Sequence, residues 1–146
     1  MKVLFFALLV LSTALVPAYA QDDTWFSVNV PFAFYVGDQA MPEGNYQLVQ
    51  SSQLPYLFRV NAINNSKVEP IALAVGNVEH NVSAADLITR LVFAKYDDQH
   101  IFLRKFSRLG DRSVVLPMGK KERERITTRF ISARTPEVVV VAAKGL

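Results

Sequence analysis

The sequence predicts an all-β domain: a single antiparallel β-barrel or β-sandwich with one short helix, preceded by a signal peptide. Three observations carry this reading. Apolar side chains recur at every second position through Phe26, Val28, Val30, Phe32, Phe34 and Val36, the period of a strand with one buried face. Short apolar or aromatic runs separated by turn residues then repeat down the chain. Only one segment, Lys120 to Thr127 (KKERERIT), joins strong helix formers without a breaker.

The chain begins MKVLFFALLVLSTALVPAYA, with a basic Lys2, an apolar run from Val3 to Val16 and the small-x-small site Ala18-Tyr19-Ala20. That is the pattern of a secretory signal peptide cleaved after Ala20. The apolar run of about 14 residues is short of the roughly 20 that a spanning helix needs. The expected organisation is a signal peptide over 1–20 and one β-rich domain over 21–146, exported to the periplasm or beyond the cell, with no transmembrane span after cleavage. The chain has no cysteine, so no disulfide can staple it, and the fold must rest on its apolar core.

The opening strand stops at Gly37-Asp38, and Met41-Pro42-Glu43-Gly44-Asn45 makes a second turn before Tyr46, Leu48 and Gln50 begin the next alternation. Its odd positions Trp25, Asn29, Ala33 and Tyr35 are where a ligand or second subunit is to be sought. Tyr56, Phe58 and Val60 mark a third strand. Val68 to Val78 reads as a buried run, with Ile71, Leu73 and Val75 on one side; Ala72, Ala74 and Gly76 on the other invite close approach of another layer. Ser83 to Asp86 suits a helical turn. Leu87–Tyr96 and His100–Phe106 form a hairpin around Asp97-Asp98-Gln99, and Arg112–Leu116 is a short strand after a turn at Gly110.

In the helix, Glu122 lies three and seven positions before Arg125 and Arg129, spacing that offers surface ion pairs. Ile126 to Ala133 either continues the helix or reverts to strand, and Glu137 to Ala143 (EVVVVAA) is a last strand. Its four valines suit a strand covered on both faces or one that pairs with a partner. The expected core comprises Phe26, Val28, Val30, Phe32, Phe34, Leu48, Phe58, Leu73, Leu91, Phe93, Ile101 and Leu103.

Charge is unevenly spread. Nine acidic side chains face four basic ones from Gln21 to His100, and four face eleven from Ile101 to the end. The basic set Arg104, Lys105, Arg108, Arg112, Lys120, Lys121, Arg123 and Arg125, with Arg129 and Arg134 beyond it, is the main electrostatic feature. It predicts either a solvated face or contact with an anionic envelope polymer. Export makes nucleic acid an unsuitable partner.

Catalytic and metal patterns are weak. His80 and His100 stand on separate turns, each beside an acid (Glu79, Asp98), where a metal site needs three or four converging ligands. There is no HExxH, phosphate loop or nucleophile elbow. Asp97, Asp98 and Asp111 could meet only if two turns converged, short of the six to eight oxygens that calcium takes. No pair of acids stands out for glycoside hydrolysis. No catalytic, cofactor-binding or metal residue is assigned and no cofactor is expected. Two sequons, Asn64-Asn65-Ser66 and Asn81-Val82-Ser83, would be glycan acceptors in a eukaryote.

Three blocks in order, VNVPFAFYVGDQAMPEGNYQL, RLVFAKYDDQHIFLRKF and LPMGKKERE, resemble a family of small exported bacterial proteins of unknown function, abundant in Acidobacteria. Its members share the pattern VxVPFxFxVG…LVFxxYxxxxFL…LPxxxxERE. The match spans about Trp25 to Arg125; the valine-rich tail after it has no assigned counterpart. The shared blocks are structural, so the resemblance implies the fold and export, and it makes the sequons irrelevant.

The expected function is therefore a non-enzymatic binding or envelope-associated structural module. One version encloses a small apolar ligand between its sheets. The alternatives are a self-assembling homo-oligomer that adds strands through Val138–Val141, and a hydrolase acting on envelope sugars.

Overall fold

The computed structural model describes residues 21–75, 77–79, 88–109, 113–129 and 135–143. The first patterned run forms β1 (Asp23–Val30) and β2 (Phe34–Val36), broken at Pro31–Ala33 where the chain leaves one sheet for the other. Pro31 offers no N–H to a ladder, which suits the end of a strand. The alternation survives the break: Val28, Val30, Phe34 and Val36 are buried, and Phe32 packs against them half-buried. Gly37, at φ 58°, turns β2 onto β3 (Gln39–Met41).

One sheet has the order β1-β4-β5-β6, with β4 at Gly44–Gln50, β5 at Leu57–Ala62 and β6 at Ile71–Ala74; every pairing in it is antiparallel. The other has the order β11-β8-β9-β10-β7, from Glu137–Ala142, Arg90–Asp97, His100–Ser107, Ser113–Val115 and Asn77–Glu79. β2 joins it through a parallel contact, Tyr35 opposite Phe102, the exception to the expected antiparallel order. The two sheets pack as a sandwich, not a closed barrel. The single described helix, α1 (Lys120–Arg129), starts where expected and absorbs Ile126 to Arg129.

The core lies between the sheets. Trp25 packs edge-on against Phe58 and Phe106, and Phe34 against Tyr46 and Phe93. The void bounded by Phe26, Val28, Phe34, Tyr46, Leu48, Val60, Leu91 and Leu103 is about 10 Å³. That is less than a ligand needs, so this part of the interior is filled by side chains.

Several expectations need correction. Trp25 is no outward position: Thr24 stands opposite Val49 and Phe26 opposite Leu48, so Trp25 is the extra residue of a β-bulge and is buried beside Phe26. Its indole N–H donates to Gln50 Oε1 at 2.8 Å. Leu73 and Phe32 only flank the core. Ala72 and Ala74 are exposed, because β6 is the edge of its sheet and that face meets solvent. Val68–Val78 is two short strands in different sheets. On β11, Val139 and Val141 pack toward the core while Val138 and Val140 are 67% and 49% exposed, so the strand is covered on one face. His80, Ser83–Asp86, Gly110, Asp111, Arg112, Arg134 and the signal-peptide segment lie outside the described residues.

Candidate functional site

The site is built on the outer face of the second sheet, where α1 lies across β8 and β9. Two bulges in the β8–β9 hairpin prepare that face. Val92 stands opposite Lys105 but Phe93 opposite Leu103, leaving Arg104 extra; Lys95 stands opposite Ile101 but Asp97 opposite His100, leaving Tyr96 extra. A bulge re-aims side chains and can place neighbours on one face. Arg104, Tyr96 and Asp97 all reach the helix.

The helix is set down by a turn from another part of the chain. Asp38 Oδ1, in the β2–β3 turn, accepts the Lys121 backbone N–H at 2.8 Å, satisfying a donor that the helix N-terminus leaves unpaired. That hydrogen bond lowers the Asp38 pKa below its usual range, with the cations Lys121 and Arg123 adding to it. Gly119 makes the approach possible: a Cβ there would lie 2.8 Å from the Gly37 carbonyl carbon and 2.6 Å from Asp38 Oδ1.

Glu122, Arg125 and Ile126 share the helix face toward the sheet. Ile126 packs on a small cluster of Ala94, Tyr96 and Phe102. Glu122 is 2% exposed and Arg125 pairs with Asp97, which overturns the expected surface pairing of these two; the Arg129 side chain lies outside the described residues. Its Oε2 accepts from Arg104 Nη1 at 3.1 Å and its Oε1 from the Tyr96 hydroxyl at 3.2 Å. Its burial follows from its place beneath the helix, and these partners compensate the charge. Arg125 donates to Asp97. The two ion pairs have opposite polarity, cation from the sheet in one and from the helix in the other. A single seating of the helix satisfies both.

Asp97 also has His100 Nδ1 at 2.7 Å and the Gln99 N–H at 2.9 Å. Burial pushes its pKa up, but the hydrogen bonds from His100, Arg125 and Gln99 outweigh it and hold the carboxyl well below the ordinary carboxylate range.

Beside this clamp an open cleft of about 320 Å³ is lined by Tyr35, His100, Phe102, Lys121, Glu124, Arg125 and Thr128. The Tyr35 ring stacks near Phe102 (5.1 Å, 24°) and His100 (6.5 Å, 11°). Lys121 Nζ lies 5.1 Å over the Tyr35 ring. The Thr128 hydroxyl donates to the Glu124 carbonyl, a bond within the helix. Of the lining cations Arg125 is paired with Asp97, so the cleft offers an anionic group Lys121 against an aromatic wall, with the Glu124 carboxylate also in the lining. Among the described residues no three histidine or carboxylate side chains converge as metal ligands. Asp98 pairs with Lys95 at 2.8 Å.

The predicted basic set is thus divided. Lys120, Lys121, Arg123 and Arg125 share α1, with Arg104 beneath it; Lys120 lies 3.8 Å from Glu124. Lys105 is half-buried on the same sheet face. Arg108 is elsewhere, paired with Asp23 at 3.2 Å and 5.9 Å over the Trp25 ring. Arg112 lies outside the described residues. Sequence reasoning weighed His100 and Asp97 only as metal ligands and passed over Asp38; of the lining residues, Lys121 and Arg125 belonged to the predicted basic set and Tyr35 had an outward phase on the first strand.

The chain matches no family model, no curated protein and no solved structure. No helix among the described residues is long and apolar enough to cross a membrane.

Proposed function

We propose that this chain is an exported, non-enzymatic binding or envelope-associated structural module that contacts an anionic polymer through the exposed side of α1 and the Tyr35 cleft. One observation carries the reading. Arg104, Arg108 and Arg125 are spent in ion pairs, whereas Lys121 and Arg123 stand on the exposed helix surface with no ion pair among the described residues, Lys121 in the wall of the aromatic cleft. Polyanion contact of this kind is screened by salt. The test is elution from immobilised heparin as a polyanion probe. The parent chain is expected to be retained, and a Lys121→Ala/Arg123→Ala variant to elute at clearly lower salt with an unchanged circular dichroism spectrum. Equal elution of the two would rule out this surface.

A further inference from the structure

We infer that β11 is a pairing edge for a second copy of this chain, joined antiparallel about a two-fold axis at Val140. The argument begins with hydrogen-bond phase. The Ala143 N–H donates to the Thr89 carbonyl at 2.9 Å, and the β11–β8 register continues unbroken from Ala142 opposite Arg90 to Glu137 opposite Lys95. In an antiparallel ladder the residues that bond across alternate. Glu137, Val139 and Val141 therefore turn their N–H and C=O groups to β8, and Val138, Val140 and Ala142 turn theirs away. Among the described residues, β8 is the only strand that pairs with β11.

Among the described residues no strand pairs with that outward edge, although β1 of the other sheet passes near β11. Sheet edges are normally blunted by charge, proline or a bulge; here four valines run without a bulge, with Glu137 at one end and Pro136 before it. Symmetry then selects the register. With Val140 opposite Val140, Val138 falls opposite Ala142 and every outward N–H gains a carbonyl. A two-residue slip toward the N-terminus would put Pro136, which has no N–H, opposite Ala142. In the chosen register Glu137 falls opposite Ala143.

The side chains agree with the backbone. Val138 stands opposite Ala94 and Val140 opposite Val92, so both are on the helix-bearing face. They are exposed in the single chain; across the axis Val140 would meet Val140 of the second copy and Val138 would meet Ala142. The axis is perpendicular to the sheet, so both helices would lie on one side of the joined sheet. If the polyanion reading above holds, the dimer presents two clefts to one polymer.

Oligomeric state and cross-linking test this without reference to any ligand. The processed chain recovered from an exporting cell is expected to run at twice the monomer mass by light scattering, falling to monomer on dilution. Val140→Lys puts two like charges at the axis and is expected to be monomeric at all concentrations, with unchanged circular dichroism. Val140→Cys, the sole cysteine in its chain, is expected to oxidise to a covalent dimer, because hydrogen-bonded partners have Cα atoms about 5.5 Å apart, within disulfide reach. Arg123→Cys on the exposed helix is the control. A parent chain that is monomeric throughout, a Val140→Lys variant that remains dimeric, or equal cross-linking of the two cysteine variants would each overturn the inference.

Discussion

On the outer face of the first sheet, Asn29 donates to Asn45 across β1 and β4 at 2.9 Å, Gln47 donates to Thr24 at 3.2 Å, and Arg59 pairs with Asp22. These groups pair with one another along the strands, with no helix of the described residues over them. On the outer face of the second sheet, a helix buries Glu122 against Arg104 and Tyr96, holds Asp97 to Arg125, and leaves Lys121 beside Tyr35 and Arg123 exposed. The first face is neutral and self-contained apart from one ion pair. The second spends buried charge to fix the position of a helix whose other side is basic. Surface polar pairs contribute little to stability, whereas a broken buried pair is costly. Substitutions on the two faces should therefore differ sharply.

Glu122→Ala should have the largest effect of the substitutions considered for these faces. It strands Arg104 and the Tyr96 hydroxyl beneath the helix, and a loss of about 2–3 kcal/mol is expected in urea unfolding, less than for a fully buried pair because Arg104 keeps some access to water. The double variant Glu122→Gln/Arg104→Met should lose less than Glu122→Ala alone. Gly119→Ala comes next. Its Cβ would press on the Gly37 backbone, and about 1–2 kcal/mol is expected, the lower part of the overpacking range because the β2–β3 turn is at the surface.

Acid should act on the second face through Asp97. Its folded pKa is held below the unfolded value of about 3.8. Its contribution is complete above that unfolded value and is lost as pH falls through the folded one. Asp97→Asn should accordingly flatten the acid limb of a stability-against-pH curve. The smallest effect belongs to the first face: Asn29→Ala should change stability by no more than about 0.5 kcal/mol, in either direction. If it cost as much as Glu122→Ala, the contrast between the faces would collapse.

Much of the frame was legible in the sequence. Period-two alternation gave β1 and β2, the Asp97-Asp98-Gln99 turn marked the β8–β9 hairpin, and KKERERIT located the helix. Each of these signals is local. What escaped depends on phase. A bulge inserts one residue without leaving a mark in composition, so Trp25 looked outward, and Arg104, Tyr96 and Asp97 could not be assigned to one face. Glu122 looked like any solvated charge, because the helix buries a carboxylate and an arginine stem where an apolar stripe would have been conspicuous. Gly119 mattered through its contact with Gly37 and Asp38, more than eighty positions earlier in the chain. The site joins β2, the β8–β9 hairpin and α1, and no single stretch contains it.

Backbone amide shifts during titration with a short acidic oligosaccharide compare the two faces directly. Changes are expected at Tyr35, His100 and the helix from Lys121 to Arg125, fading as salt is raised, while β1, β4 and β5 stay still. Changes centred on Asn29, Asn45 or the Asn61–Pro70 loop, or no change at the helix at low salt, would contradict the assignment of the helix-bearing face as the binding surface.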